Sequence, residues 1–261
     1  KGVTLSILKA LLGRYNTSSE ALQRILENNF APARLYGKLA NIDADVSKED
    51  LKNTGLLKKI TGNDTVSLEE KFKNAFDANI FAKLVFSGNK MPETSDETDA
   101  FFSRPIIINY QRQFAVSEQD PYLTQKLTTE REMSGLLNLL VSRLARVLES
   151  GISGSDESIE DNYKKYVESS DPIRGFVESA ISTSDKDSYA SKDAIYNAYR
   201  DYCIAKHLNP ENEYNFSLRL SADYKIEQKR LQLKGKPREY YWMGIKLIDW
   251  KAIEDEGQTT L

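Results

Sequence analysis

The chain has 261 residues, 40% hydrophobic and 29% charged, with a net charge of −3; that is the make-up of a globular protein with room for one large or two modest cores. It excludes a membrane span, since no apolar run approaches roughly 18 residues, and shows no signal-peptide pattern. One cysteine (Cys203) and one histidine (His207) leave no disulfide framework and too few ligands for a zinc site. Both read as structural, and a reducing, intracellular setting fits best.

The total charge argues against a uniformly basic nucleic-acid binder, but it hides opposed patches. Residues 151–190 carry nine acids against four bases, and residues 225–246 carry seven bases against two acids. Either could be an ordinary solvated surface.

The chain opens "KGVTLSILKALLG". Leu5, Leu8 and Leu12 share one helical stripe and Gly13 is placed to end it, which predicts a helix over 3–13. The runs 38–46, 82–88 and 105–110 read as buried strands separated by helices, so residues 1–115 are expected to form an α/β layer with a mainly parallel sheet. Between the first two, residues 64–84 read as two strand-like runs with Lys71, Phe72 and Lys73 near their turn. Residues 116–187 form a helical segment in which Met133, Leu137, Leu140, Leu144 and Val147 keep a clean helical spacing up to Gly151. The acidic, Ser-rich stretch at 150–161 reads as a linker or loop. The unit 188–250 combines a helix over 192–206, a second at about 214–223, and two strand-like runs around "KGKPR". Residues 251–261 are a tail.

The candidate chemistry lies at strand ends. In "KLANIDADV" the alternation puts Asn41, Asp43 and Asp45 on the face opposite Ala40, Ile42 and Val46. Carboxylates at the carboxyl end of a strand sit where open α/β sheets bind ligands; such a pair can hold a magnesium ion and orient a water. They could equally begin a surface loop. "KLVFSGNKMP" delivers Asn89 to the same edge, although Gly-Asn there is also plain turn chemistry. Arg104 precedes the third run, where a guanidinium could neutralise a transferring phosphoryl group or simply make a surface salt bridge.

Taken together, "LYGKLANIDAD", "LLKKITGND", "KLVFSGNKMP", "TDAFFSRPIIINY" and "DPYLTQKLTTEREMSGLLNLLVSRLARVLESG" resemble, over roughly residues 1–250, the superfamily 3 helicases of the poxvirus and phage or plasmid primase-helicase type. The resemblance implies an AAA+-like P-loop ATPase core. Lys1 is then the lysine that ends the phosphate-binding loop, whose glycine-rich half would precede this chain. Where such a loop usually has Ser or Thr for magnesium, Gly2 stands here. Thr4 lies about 200° further round the helix, a poor geometric substitute. Asp45, more than Asp43, would be the catalytic acid and the two would hold Mg2+. Asn89 would help orient the attacking water, and Arg104 would act on the neighbouring subunit's ATP, with Ser103 at the family's second arginine position. The resemblance further implies a homo-oligomeric ring, usually a hexamer, an upstream primase domain, and work on replicating DNA in the cytoplasm of a host cell.

The family's hairpin grips single-stranded DNA, a role that falls to Lys71, Phe72 and Lys73. The last unit reads independently as a winged helix. Asn215 and Arg219 could face a groove from its second helix, and Lys234, Lys236 and Arg238 sit at the wing tip where phosphates would be met. Tyr196, Tyr199 and Tyr202 are expected to pack the first helix. The sequence thus points to an ATP-driven helicase acting on single-stranded or forked DNA. The rival reading is a non-catalytic DNA-binding initiator or ring component.

Overall fold

The computed structural model describes residues 1–47, 49–110, 112, 114–151, 158–183, 185, 187–232 and 238–250. Contacts divide the chain into two units, Lys1–Tyr166 and Val167–Leu261. No helix among the described residues is long and apolar enough to cross a membrane.

In the first unit, α1 (Gly2–Leu12) starts directly on Lys1, whose carbonyl accepts from the Leu5 amide. Leu5 is buried, and Leu8 and Leu12 partly so, against Ala40, Ile42 and Val85. The helix stops where expected: Gly13 takes φ +82°, a region costing a residue with a Cβ about 1 kcal/mol or more. There follow β1 (Thr17–Ser18), α2 (Leu22–Glu27), β2 (Ala40–Asp43), α3 (Thr54–Thr61), β3 (Thr65–Leu68), β4 (Phe76–Asn79) and β5 (Lys83–Phe86). Then come α4 (Asp99–Phe102), α5 (Leu123–Leu127), α6 (Glu130–Ser150) and α7 (Ile159–Ser170).

A parallel sheet forms in the order β1-β2-β5, with Asp43 opposite Phe86. Asn41 does not share an open face with the aspartates, as the alternation predicted. It is wholly buried, and its amide is used up: the oxygen accepts from Ser18 Oγ and the Glu20 amide, and the nitrogen donates to the Glu20 carbonyl. A buried amide must be bonded on both ends, and here it fixes the chain leaving β1 against β2.

The expected third strand at 105–110 is absent. Ile107 packs on the core while Ile106 and Ile108 are exposed, and Pro105 offers no N–H to a ladder. The third position in the sheet belongs instead to β1, too short to show any pattern. Of the acidic stretch expected as a loop at 150–161, residues 152–157 lie outside the described residues; its end is helical from Ile159, where Ser158 Oγ accepts from the Asp161 amide and caps α7.

Helix α6 has the predicted spacing and ends at Gly151, yet none of its residues is buried; Leu137, Leu140, Leu144 and Val147 all stand exposed.

Asp96 clamps α3 to the segment before α4. Its carboxylate, 8% exposed, accepts from Lys58 Nζ at 2.8 Å, Thr54 Oγ1 at 2.5 Å and Thr98 Oγ1 at 2.5 Å. Burial pushes this carboxyl upward, but the bonds from Lys58, Thr54 and Thr98 outweigh it and hold it well below the usual carboxylate range. Its stabilising contribution is therefore complete above the unfolded value of about 3.9 and fades as pH falls below it. The chain is expected to lose stability between roughly pH 5 and pH 2 more steeply than its Asp96→Asn variant. Urea midpoints across that range check this, and parallel pH profiles would contradict it.

The second unit contains α8 (Pro172–Ala180), β6 (Ile181–Ser182), β7 (Tyr189–Ser191), α9 (Lys192–Ala205), α10 (Glu213–Ala222), β8 (Gln228–Gln232), β9 (Arg238–Met243) and β10 (Lys246–Leu247). Strands β7, β9 and β8 form an antiparallel sheet in that order, and β10 pairs with β6. Helices α9 and α10 match the two predicted ones; α8 is an addition that the sequence reading did not separate out. Tyr199 and Tyr202 are fully buried and Tyr196 packs beside them, with Tyr199 stacked on Phe216 at 4.5 Å. Cys203 lies in the same core, where burial pushes its thiol up to about 11, so it is a packing residue rather than a reactive one.

Candidate ATP and DNA sites

The carboxyl edge of the parallel sheet brings together residues far apart in sequence. The turn after β2 is laced to the turn after β5: the Ser87 amide donates to the Asp43 carbonyl at 3.1 Å, Ser87 Oγ to the Ala44 carbonyl at 2.8 Å, and the Val46 amide to the Ser87 carbonyl at 3.0 Å. A Cβ on Gly88 would stand 3.1 Å from the Lys90 carbonyl, tight enough that the turn would have to give by a few tenths of an ångström, and 3.4 Å from Val46 Cβ. The result sets Asp43 and Asp45, half-buried and exposed respectively, beside the exposed Asn89 turn.

Lys1 joins them. Its Nζ donates to Asn89 Oδ1 at 2.6 Å and to the Gly88 carbonyl at 2.6 Å. The residue that precedes α1 and the turn that follows β5 thus share one hydrogen-bonded contact at an open edge of the sheet. A lysine ammonium there can meet phosphate oxygens, and an amide can hold a phosphate or a water without charge repulsion. Two nearby carboxylates are a donor set that suits magnesium, which takes one or two carboxylates along with substrate phosphates. Gly2 brings no hydroxyl, and Thr4 Oγ1 accepts from Tyr110 Oη at 2.9 Å. Among the described residues no group of three or more His, Cys, Asp and Glu could hold a metal by itself.

Arg104 is placed elsewhere. It follows α4, and its Nε donates to Thr61 Oγ1 at 3.0 Å at the carboxyl end of α3. Among the described residues no hydrogen bond or ion pair ties it to Lys1, Asp43, Asp45 or Asn89.

Strands β3 and β4 form the predicted hairpin, Leu68 opposite Phe76, and the turn between them carries Lys71, Phe72 and Lys73. Phe72 is fully exposed with φ +63°. An exposed aromatic in the left-handed region costs on the order of 1–2 kcal/mol, and such outliers gather at functional sites. Lys73 pairs with Glu70 at 2.5 Å. For Lys71 no carboxylate partner occurs among the described residues.

In the second unit, α10 presents Tyr214 and Leu218 to solvent, with Asn215 half-buried between them. Arg219 has inward commitments. Its guanidinium grips Asp171 through both terminal nitrogens, at 2.8 and 2.6 Å, and donates through Nε to Asp223 at 2.8 Å. The Asp171 bonds, against the opposing effect of burial, raise its pKa above the ordinary arginine value. Asp171 also caps α8 by accepting from the Ile173 and Arg174 amides. It is the anchor between α8 and α10, and no local signal announces it. A phosphate could reach Arg219 only on the outer edge of this ion pair.

On β9 Arg238 is exposed, and Arg230 of β8 lies 5.7 Å over the Tyr240 ring. An open cleft of about 270 Å³ there is lined by Ser191, Lys192, Asp193, Arg238, Glu239 and Tyr240. Lys234 and Lys236 lie outside the described residues.

A family model described as a family of unknown function, DUF5906, matches residues 1–104, the stretch that holds Lys1, Asp43, Asp45, Asn89 and Arg104. Among solved structures the chain is similar to the C-terminal region of NrS-1. One apo structure of that region is 15% identical, with 93% of this chain and 64% of that one covered and a TM-score of 0.39. An A-form apo structure gives 13% identity, 93% and 63% coverage and a TM-score of 0.35. This chain spans less than two thirds of the length of either.

Proposed function

We propose that the chain is the motor part of an ATP-driven DNA helicase, the reading carried by the Lys1–Asn89 contact at the carboxyl edge of the parallel sheet. ATP binding draws the Lys1 ammonium from Asn89 to the β- and γ-phosphates. Asn89 and Asp45 then orient the attacking water, while Asp43 and Asp45 would hold magnesium, which supplies charge neutralisation on the phosphates when bound. Arg104, bonded to Thr61 at the end of α3 rather than to the Lys1–Asn89 contact, serves the ATP of a neighbour in a ring, where its charge offsets that of the transferring phosphoryl. The exposed leucines of α6 are an apolar face that assembly would cover.

Hairpin β3–β4 is inserted in the chain between β2, which carries Asp43, and β5, whose following turn carries Asn89; on this reading a change at the phosphates moves Lys71–Lys73 along single-stranded DNA. Around α9 and α10 the second unit places β7 before them and β8 and β9 after them, in sheet order β7-β9-β8, with β6 and β10 paired apart; this arrangement supports reading the unit as a winged helix. It meets duplex DNA through α10 and the wing. The full-length protein is expected to displace a strand from a forked duplex in ATP and not in a non-hydrolysable analogue; strand displacement without hydrolysis would contradict the motor.

A second reading has its own observation. With Gly2 lacking a hydroxyl and Thr4 bonded to Tyr110, the usual magnesium hydroxyl is missing. A protein that binds forked DNA yet neither hydrolyses ATP nor unwinds is the non-catalytic initiator.

A further inference from the structure

The hairpin tip has aromatic neighbours that the sequence reading did not assign. Phe30 lies beneath Lys71, whose Nζ stands 5.9 Å from the ring centroid. Tyr36 meets Phe76 edge-on at 5.2 Å, and Phe76 with Leu68 forms the rung of the hairpin nearest its turn. One short segment, residues 28–36, therefore runs beside the tip and contacts it at two points.

That segment is built to be stiff. Asn28 Oδ1 accepts from the Phe30 and Ala31 amides, Pro32 opens a single 3₁₀ turn, and Ala31, Pro32 and Leu35 are buried as anchors. The two rings are left outside on this rigid support, Phe30 at 39% and Tyr36 at 52% exposure, and the hairpin they contact through Lys71 and Phe76 carries the fully exposed Phe72 in its turn. Exposed rings on the hairpin turn and on the segment that contacts it, with Lys71 over one of them, are a mixed surface, not an apolar patch awaiting a protein. Flat rings with cations beside them fit unstacked bases joined by phosphates.

We propose that Phe30 and Tyr36 form, with Phe72, a stacking platform for the bases of single-stranded DNA, with Lys71 and Lys73 taking the phosphates. The proposal rests on the reading of the hairpin as the DNA contact and extends it from one aromatic to three. Bases stack on these rings without sequence preference, because every base has a face to offer.

The test is equilibrium binding of fluorescent oligo(dT) to the full chain across a salt series. Variants Phe30→Leu and Tyr36→Leu keep apolar contact with Lys71 and Phe76 but remove the ring, and thermal unfolding confirms that they fold. Each is expected to weaken binding by roughly 5- to 150-fold with the salt slope unchanged. Lys71→Ala is expected to flatten the slope by about 0.7. On an abasic strand the two leucine variants should match the parent, a result that a merely structural role would not give. If both bind oligo(dT) like the parent while Phe72→Ala and Lys71→Ala weaken it, the platform is wrong and the hairpin reading stands. If no variant, Phe72→Ala and Lys71→Ala included, differs from the parent, both fall.

Discussion

Replacing Arg104 by alanine is expected to slow ATP hydrolysis by the full-length protein on the order of 10³-fold or more, with nucleotide affinity changed only a few-fold. The expectation rests on where the side chain sits. Its Nε bonds to Thr61 at the carboxyl end of α3, where partial negative charge favours a guanidinium, and among the described residues no hydrogen bond or ion pair ties it to Lys1, Asp43, Asp45 or Asn89. A residue so placed contributes to hydrolysis only across a subunit boundary. Lysine should not restore activity, since an ammonium lacks the planar fork that meets two phosphoryl oxygens at once. Mixing Arg104→Ala with Lys1→Ala subunits should recover part of the turnover, because some interfaces then pair an intact lysine with an intact arginine. Failure of the mixture to exceed either variant would place Arg104 outside the chemistry.

Lys1→Ala carries the second large effect, a fall in turnover of roughly 10²–10³-fold, the scale for removing one preorganised donor aimed at charge that develops in a transition state. The side chain is poised without help from packing: it is exposed, and it reaches Gly88 and Asn89 by hydrogen bonds of 2.6 Å alone. Its loss therefore leaves α1 and the sheet intact, because the stripe that fixes the helix is Leu5, Leu8 and Leu12. A variant that melts like the parent yet no longer turns over ATP separates a chemical role from a structural one.

Much of this arrangement was legible in the sequence because it is written locally. The leucine stripe of α1 and its glycine stop, the strands carrying Asp43 and Asn89, the hairpin around Phe72 and the two helices of the last unit follow from periodicity and turn chemistry over a dozen residues each. What the sequence did not disclose depends on partners far away. Two-residue β1 has no pattern of its own; it is a strand because β2 lies beside it. Residues 105–110 have strand composition and no ladder to join. Asn41 sits on the face of two aspartates by alternation, but Ser18 and Glu20 claim it. Arg219 has the spacing of a groove-reading residue, yet Asp171, 48 positions away, holds it. The spacing of α6 announced an amphipathic helix; only the structure shows its apolar side uncovered.

The most direct test of the motor is the rate of ATP hydrolysis by the full-length protein, with and without single-stranded DNA, beside its Lys1→Ala variant. The account predicts turnover that DNA accelerates and that the variant loses under both conditions. Turnover of equal rate in parent and variant, or none in a parent that still binds DNA, would contradict it.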